Sequence, residues 1–216
     1  MKLKNLPWIP FAFFAIAIGL YPLIYFLVDM RSNGLLQSKP SAVLNNFVWN
    51  TAFYIHIIFG GIALLIGWTQ FSARLRQRYV NIHRLVGKIY VIAVTLSSVA
   101  GLYIAFFATG GLVCVLGFGA LAILWLISNV KAYSTIRQGQ ICLHQNWMIC
   151  NYALTFAAVT LRIWLPLLSA FVFHDFIPAY RVVSWLSWVP NLIVALIIIN
   201  KTEDRPALAD QQVMGK

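Results

Sequence analysis

What this sequence lacks first of all is charge, and acid in particular. Asp and Glu number 5 in 216 residues, and charged residues of both signs make up 10% against 61% apolar. Soluble domains average about 25% charged residues, so lipid is the expected solvent for this chain. None of the acids falls within a long apolar run. That removes the intramembrane carboxylate on which proton-coupled transport ordinarily depends, and it leaves no carboxylate pair for acid–base catalysis. Also absent are HExxH, the Walker A loop and the GxSxG elbow, which argues against a zinc protease, an ATPase and a serine hydrolase. The cysteines, Cys114, Cys142 and Cys150, lie in or beside apolar runs without CxxC or CxxCH spacing, so no zinc site, thiol redox pair or covalent haem attachment is indicated.

What the sequence does contain is apolar runs of membrane-crossing length. They lie at about 7 to 28, 47 to 73, 86 to 108, 111 to 133, 147 to 172 and 180 to 200, each near the roughly 20 residues that span the hydrocarbon layer. The expected fold is all-α: one transmembrane domain over residues 1–216 with six spans. Lys2 and Lys4 precede the first run, but apolar residues continue past Ala15-Ile16-Ala17, so an uncleaved span is expected in place of a signal peptide. Thr109, Gly110 and Gly111 are all that separates spans three and four, which reads as a tight turn at the membrane face.

The net charge of +11 sits in short segments between the runs, a membrane pattern that argues against a nucleic-acid partner. With the N-terminus in the cytoplasm, the inside segments hold twelve basic residues: Lys2, Lys4, Arg74, Arg76, Arg78, Arg84, Lys88, Lys131, Arg137, Lys201, Arg205 and Lys216. The outside segments hold three, Arg31, Lys39 and Arg181. Lys and Arg dominate orientation, so both termini are expected in the cytoplasm, with the protein in a bacterial inner membrane. The run ARLRQR between spans two and three serves as a topology anchor and suits anionic headgroups.

Spacings of three and four place small and polar residues on one face of each middle span. Span two carries His56, Gly60, Ala63, Gly67, Gln70 and Arg74; span three His83, Gly87, Tyr90, Val94, Ser97 and Gly101; span five His144, Met148, Asn151, Thr155, Ala158 and Arg162. Span four does the same more weakly through Cys114, Gly117, Leu121, Trp125, Ser128 and Ala132. Because lipid gives no hydrophobic reward for helix association, such faces are expected to pack together. Helices two to five should form the core bundle, with helices one and six peripheral.

Two groups of residues on these faces carry candidate chemistry. Arg162 lies roughly 22 Å along its span from Trp147, at about 1.5 Å per residue, and an arginine near the bilayer centre costs about 2.5–3.5 kcal/mol. It either reaches the outer acids Asp29 and Asp175 or meets an anionic or carbonyl group of a ligand. His56 falls at a comparable depth; its ordinary role is bonding a neighbouring helix, and paired with Arg162 it could hold an acidic headgroup or a quinone oxygen. Gln70 and Asn151 are grouped with them as pocket residues. His83 and His144 open spans three and five at one level, where they could clamp a haem b with Gly87 leaving room for the ring, or bond headgroups and carbonyls at the interface.

The segments HRLVGKIYV (His83 to Val91), HQNWMICNYALTFAAVTLRIWLPL (His144 to Leu167) and SWLSWVPNL (Ser184 to Leu192) resemble an uncharacterised bacterial membrane-protein family, domain of unknown function 2306. The resemblance runs from about Asn45 to Asn200 and includes Arg84, Trp147, Tyr152, Arg162, Trp188, Pro190 and Asn191. Cys150 stands where the family usually has arginine. The layout is also distantly similar to the ascorbate-reducible transmembrane cytochromes b, which hold two haems between core helices. That resemblance implies at most one haem here, on His83 and His144, because span four offers no histidine.

Reporter fusions after residue 140 and at the C-terminus should read as cytoplasmic, and one after residue 38 as periplasmic. A periplasmic C-terminal reporter would contradict the helix count or the orientation.

Overall fold

The computed structural model describes residues 8–29 and 34–214. Lys2, Lys4, Arg31 and Lys216, which enter the charge bias, lie outside the described residues. A backbone in lipid has no water to bond, so helices satisfy it within each segment. Every described secondary-structure element is helical, and six stretches are long and apolar enough to cross a membrane. They are Trp8–Leu27, Phe47–Phe71, Val80–Ala105, Leu112–Arg137, Ile141–Phe171 and Phe176–Thr202.

Spans three and five begin ahead of their apolar runs, at Val80 and Ile141. The run marks how far hydrocarbon reaches, whereas the helix ends where a turn stops it: before span five that turn holds Gly139 at φ 75°. His83 and His144 therefore stand on helices. At the opposite face the turn between spans three and four uses Gly110 at φ 101° and Gly111 at φ 77°, backbone open to glycine without steric cost. Asn46, Ser72 and Asp175 accept backbone N–H groups at the starts of the helices Phe47–Gly67, Ala73–Arg78 and Phe176–Leu186.

Span two packs on three, three on four and four on five, and two also meets five; span one lies against two and five, and span six against four and five. Missing side chains permit the closest approaches. A Cβ on Gly61 would stand 2.6 Å from the Gly19 carbonyl oxygen, so spans one and two touch backbone to backbone. A Cβ on Gly67 would stand 2.4–2.6 Å from the rings of Tyr152 and Tyr90, which fill the space its absent side chain leaves.

A polar knot joins spans three, four and five. The Tyr90 hydroxyl donates to Asn151 Oδ1 at 2.6 Å and lies 2.8 Å from Thr155 Oγ1. Trp125 Nε1 donates to that Thr155 oxygen at 2.9 Å, while Asn151 Nδ2 donates to the Trp125 carbonyl at 2.9 Å and Ser128 Oγ at 2.8 Å. Tyr152 reaches span two by donating to the Leu64 carbonyl at 3.0 Å. Span five is broken beside this knot at Phe156, where the Thr155 hydroxyl turns back to the Asn151 carbonyl. Span six is broken at Ser187 and Trp188, just ahead of Pro190, whose missing N–H interrupts the helix ladder.

Gly67→Ala should therefore lower the thermal stability of the purified protein by about 1–3 kcal/mol through overpacking. Gly119→Ala, whose Cβ would meet nothing within 4 Å, should leave it unchanged. Equal melting temperatures for both variants would contradict this packing.

Candidate functional site

Small residues on the inner faces leave a cavity of about 700 Å³ in the half of the bundle away from the basic loops, within the range of small-molecule sites. Gly60, Gly101, Ala105, Ala108, Ala157 and Ala158 line it without filling it, and Phe53, Ile57, Phe118, Leu121, Leu161 and Leu165 add apolar wall. All six spans contribute lining residues.

Arg162 projects into this cavity from span five. Its Nη1 donates to the Ala158 carbonyl at 3.0 Å, one turn back on the same helix, and its guanidinium lies 4.4 Å from the centre of the Tyr21 ring. Among the described residues it forms no ion pair. Asp175, one of the acids expected to reach it, instead caps the helix Phe176–Leu186 by accepting from Ile177 N at 3.3 Å. One carbonyl and a ring face satisfy a small part of a group with five donors. Tyr25 and Tyr21 of span one and His56 of span two all lie close enough to feel the Arg162 charge.

His56 is held by span three. Its Nδ1 donates to the Ser97 carbonyl at 2.9 Å, and Ser97 Oγ donates back to the His56 carbonyl at 2.8 Å. A Cβ on Gly101 would stand 2.7 Å from His56 Nδ1, and one on Gly60 3.0 Å from Ser97 Oγ, so both glycines are needed for this exchange. A carbonyl can only accept, which places the proton on Nδ1 and leaves Nε2 of the neutral ring as an acceptor. The cavity thus carries donors on Arg162 and an acceptor on His56.

The cavity's outer rim is tied by the connections. Lys39 lines the cavity and donates to the Phe107 carbonyl at the end of span three, Ser38 Oγ donates to Thr109 Oγ1 at 3.2 Å, and Arg181 Nε donates to the Gly110 carbonyl at 2.8 Å. Burial pushes the Lys39 ammonium down from its ordinary 10.5 to about 8, so it still carries most of its charge at neutral pH.

The remaining expected site residues fall elsewhere. Gln70 and Asn151 were grouped with His56 and Arg162 because they share a helical face, but neither lines the cavity. A face fixes direction and leaves depth open: four residues along a helix shift a side chain by about 6 Å. Asn151 is consumed by the polar knot. Gln70 is buried nearer the basic loops, where its Oε1 lies 3.5 Å from the position of a Gly87 Cβ. The space above Gly87, expected to admit a haem ring, is thus shared with Gln70. His83 and His144 lie within electrostatic range of each other, and His144 Nδ1 donates to the Ala132 carbonyl at 2.8 Å. Neither lines the cavity.

Among known families, the one described as Predicted membrane protein (DUF2306) matches residues 53–199. The chain belongs to this family. No curated protein and no solved structure matches it, so the layout similarity to cytochromes b gains no support from comparison. In this DUF2306 protein the matched segment contains His56, Ser97, Gly101 and Arg162, whereas Tyr21, Tyr25 and Lys39 precede it. Those three, with Tyr180, are cavity residues the sequence reading missed. Tyrosine counts as apolar in a span, and the available signal was the four-residue spacing of Tyr21 and Tyr25 in a helix with no other polar side chain.

Proposed function

We propose that this protein binds a lipid-soluble molecule with an anionic end, seated in the cavity with its charge on Arg162. The observation that carries the reading is the uncompensated guanidinium: a cation within the membrane, facing a large apolar-walled space, with no carboxylate paired to it among the described residues. Charge-assisted bonds from a guanidinium are the strong ones available to a carboxylate or phosphate, and they strengthen where water is scarce. His56 Nε2 adds an acceptor for a hydroxyl or acid proton on the same ligand. A quinone would find the same donors for a carbonyl oxygen but would leave the arginine charge unbalanced, so the anion is favoured. The reading is of a binding or transport role, with Arg162 and His56 as the groups that meet the ligand.

The test is equilibrium binding of radiolabelled oleate to the detergent-purified protein. Arg162→Gln should weaken binding by about 10- to 100-fold, the worth of a charged hydrogen bond, while ligand-free thermal stability stays at the wild-type level because no anion among the described residues is left unpaired. Arg162→Lys should recover part of the affinity, and His56→Ala should lose less than Arg162→Gln. Unchanged oleate affinity in Arg162→Gln would remove the reading.

A second reading, a haem b between His83 and His144, draws support from their mutual approach and from the Ala132 carbonyl that holds His144 Nδ1 and leaves its Nε2 for iron. Iron held there would give a sharp alpha band on reduction, lost in both His83→Ala and His144→Ala and kept in His174→Ala, whose histidine lies in the bend ahead of the helix Phe176–Leu186. Colourless, folded protein from haem-replete cells would eliminate it.

A further inference from the structure

The cavity holds a second cation besides Arg162. Lys39, half-buried in the connection between spans one and two, lines it at the rim away from the basic loops. Its Nζ donates to the Phe107 carbonyl, just past the end of the helix Val80–Ala105. An ammonium has three donors, and a carbonyl takes up one of them without balancing the charge. Among the described residues Lys39 forms no ion pair. Both cations of the cavity are thus held by main-chain carbonyls alone, Arg162 by that of Ala158 and Lys39 by that of Phe107.

Span three measures how far apart the two charges stand. His56, at the level of Arg162, is bonded to the Ser97 carbonyl, and Lys39 is bonded ten residues further along the same span, to that of Phe107. At about 1.5 Å per residue the two levels lie about 15 Å apart. Arg162 keeps to the inner level, because its Nη1 turns back to Ala158, toward the polar knot and away from the rim. Between the levels the wall is apolar: Gly101, Ile104 and Ala105 of span three line the cavity there, and Phe53 of span two and Leu165 of span five line it too. An apolar passage with a cation at each end is complementary to a hydrocarbon chain with an anion at each end. A ligand with a single anion would balance Arg162 and leave the Lys39 ammonium facing hydrocarbon.

We propose that the cavity takes a long-chain dianion, with one terminal anionic group on Arg162, the other on Lys39 and the hydrocarbon between them along span three. This rests on the anion assigned to Arg162 under the proposed function, and adds to it a second anion and Lys39 as the residue that selects for it.

Competition against radiolabelled oleate on the detergent-purified full-length protein tests the assignment, with dodecanoate, dodecanedioate and hexanedioate as competitors. Lys39→Gln should weaken dodecanedioate about fivefold, the upper end for a partly exposed ion pair, and leave dodecanoate unchanged. Its amide can still donate to the Phe107 carbonyl, so the unchanged dodecanoate affinity also reports an intact cavity. Hexanedioate, too short to reach both levels, should be indifferent to Lys39→Gln, and Lys39→Arg should keep the wild-type preference. Arg162→Gln should weaken dodecanoate and dodecanedioate alike. Dodecanoate that depends on Arg162 beside dodecanedioate that ignores Lys39→Gln would leave the anion on Arg162 standing and overturn the second one, making Lys39 a solvated rim lysine. Equal losses of dodecanoate and dodecanedioate in Lys39→Gln would reduce Lys39 to a structural tie and overturn its selecting role. Indifference of both competitors to Arg162→Gln would overturn the dianion together with the reading on which it rests.

Discussion

Every polar group placed in hydrocarbon needs a partner, and the arrangement of this bundle follows from how that demand is met. Asn151 is the centre: one side chain accepts from Tyr90 and donates to the Trp125 carbonyl and Ser128, so spans three, four and five are locked at one level. Individual interhelical bonds in membranes average about 0.6 kcal/mol, too little for any one of them to hold the fold. Leaving a member of the knot unpaired costs more, about 1–3 kcal/mol per buried group, and that asymmetry specifies the register. His56 with Ser97 and Tyr152 with the Leu64 carbonyl extend the same logic to span two.

At Arg162 the rule is left incomplete for a charged group. The knot below it is internally paired, but the guanidinium meets one carbonyl of its own helix and one tyrosine ring. The small side chains that elsewhere allow close packing here leave space. Spans two, three and five present glycine and alanine at the level of Arg162, and the gap is closed at the rim by Lys39 and the connecting turns. An insertion cost of about 2.5–3.5 kcal/mol is met here by one carbonyl and one ring face, which leaves the remaining guanidinium donors for the ligand we propose.

Much of this was legible from residue order, and what was not had a physical cause. Six spans, their all-helical character and the inward faces of spans two to five follow from apolar length and three-to-four spacing. Helix ends were misplaced at Val80 and Ile141 because hydropathy records where lipid ends and not where the backbone turns. His56 and Arg162, read at comparable depth on two helices of opposite direction, line one cavity. Gln70 and Asn151 were drawn to the same site only by face, and depth separates them. Tyr21 and Tyr25 escaped notice because span one, packed outside spans two and five, looked uniformly apolar while supplying a wall of the cavity. Asn129, fully buried and donating to the Val91 carbonyl at 3.0 Å, sits one residue from the stripe assigned to span four.

The central claim is that the cavity holds an anion on Arg162. Native mass spectrometry of protein extracted directly from membranes, without added lipid, tests it most directly. The account predicts an anionic amphiphile retained by the wild type and by Arg76→Gln but lost from Arg162→Gln. A wild-type protein without such an adduct, or one retained equally by Arg162→Gln, would contradict it.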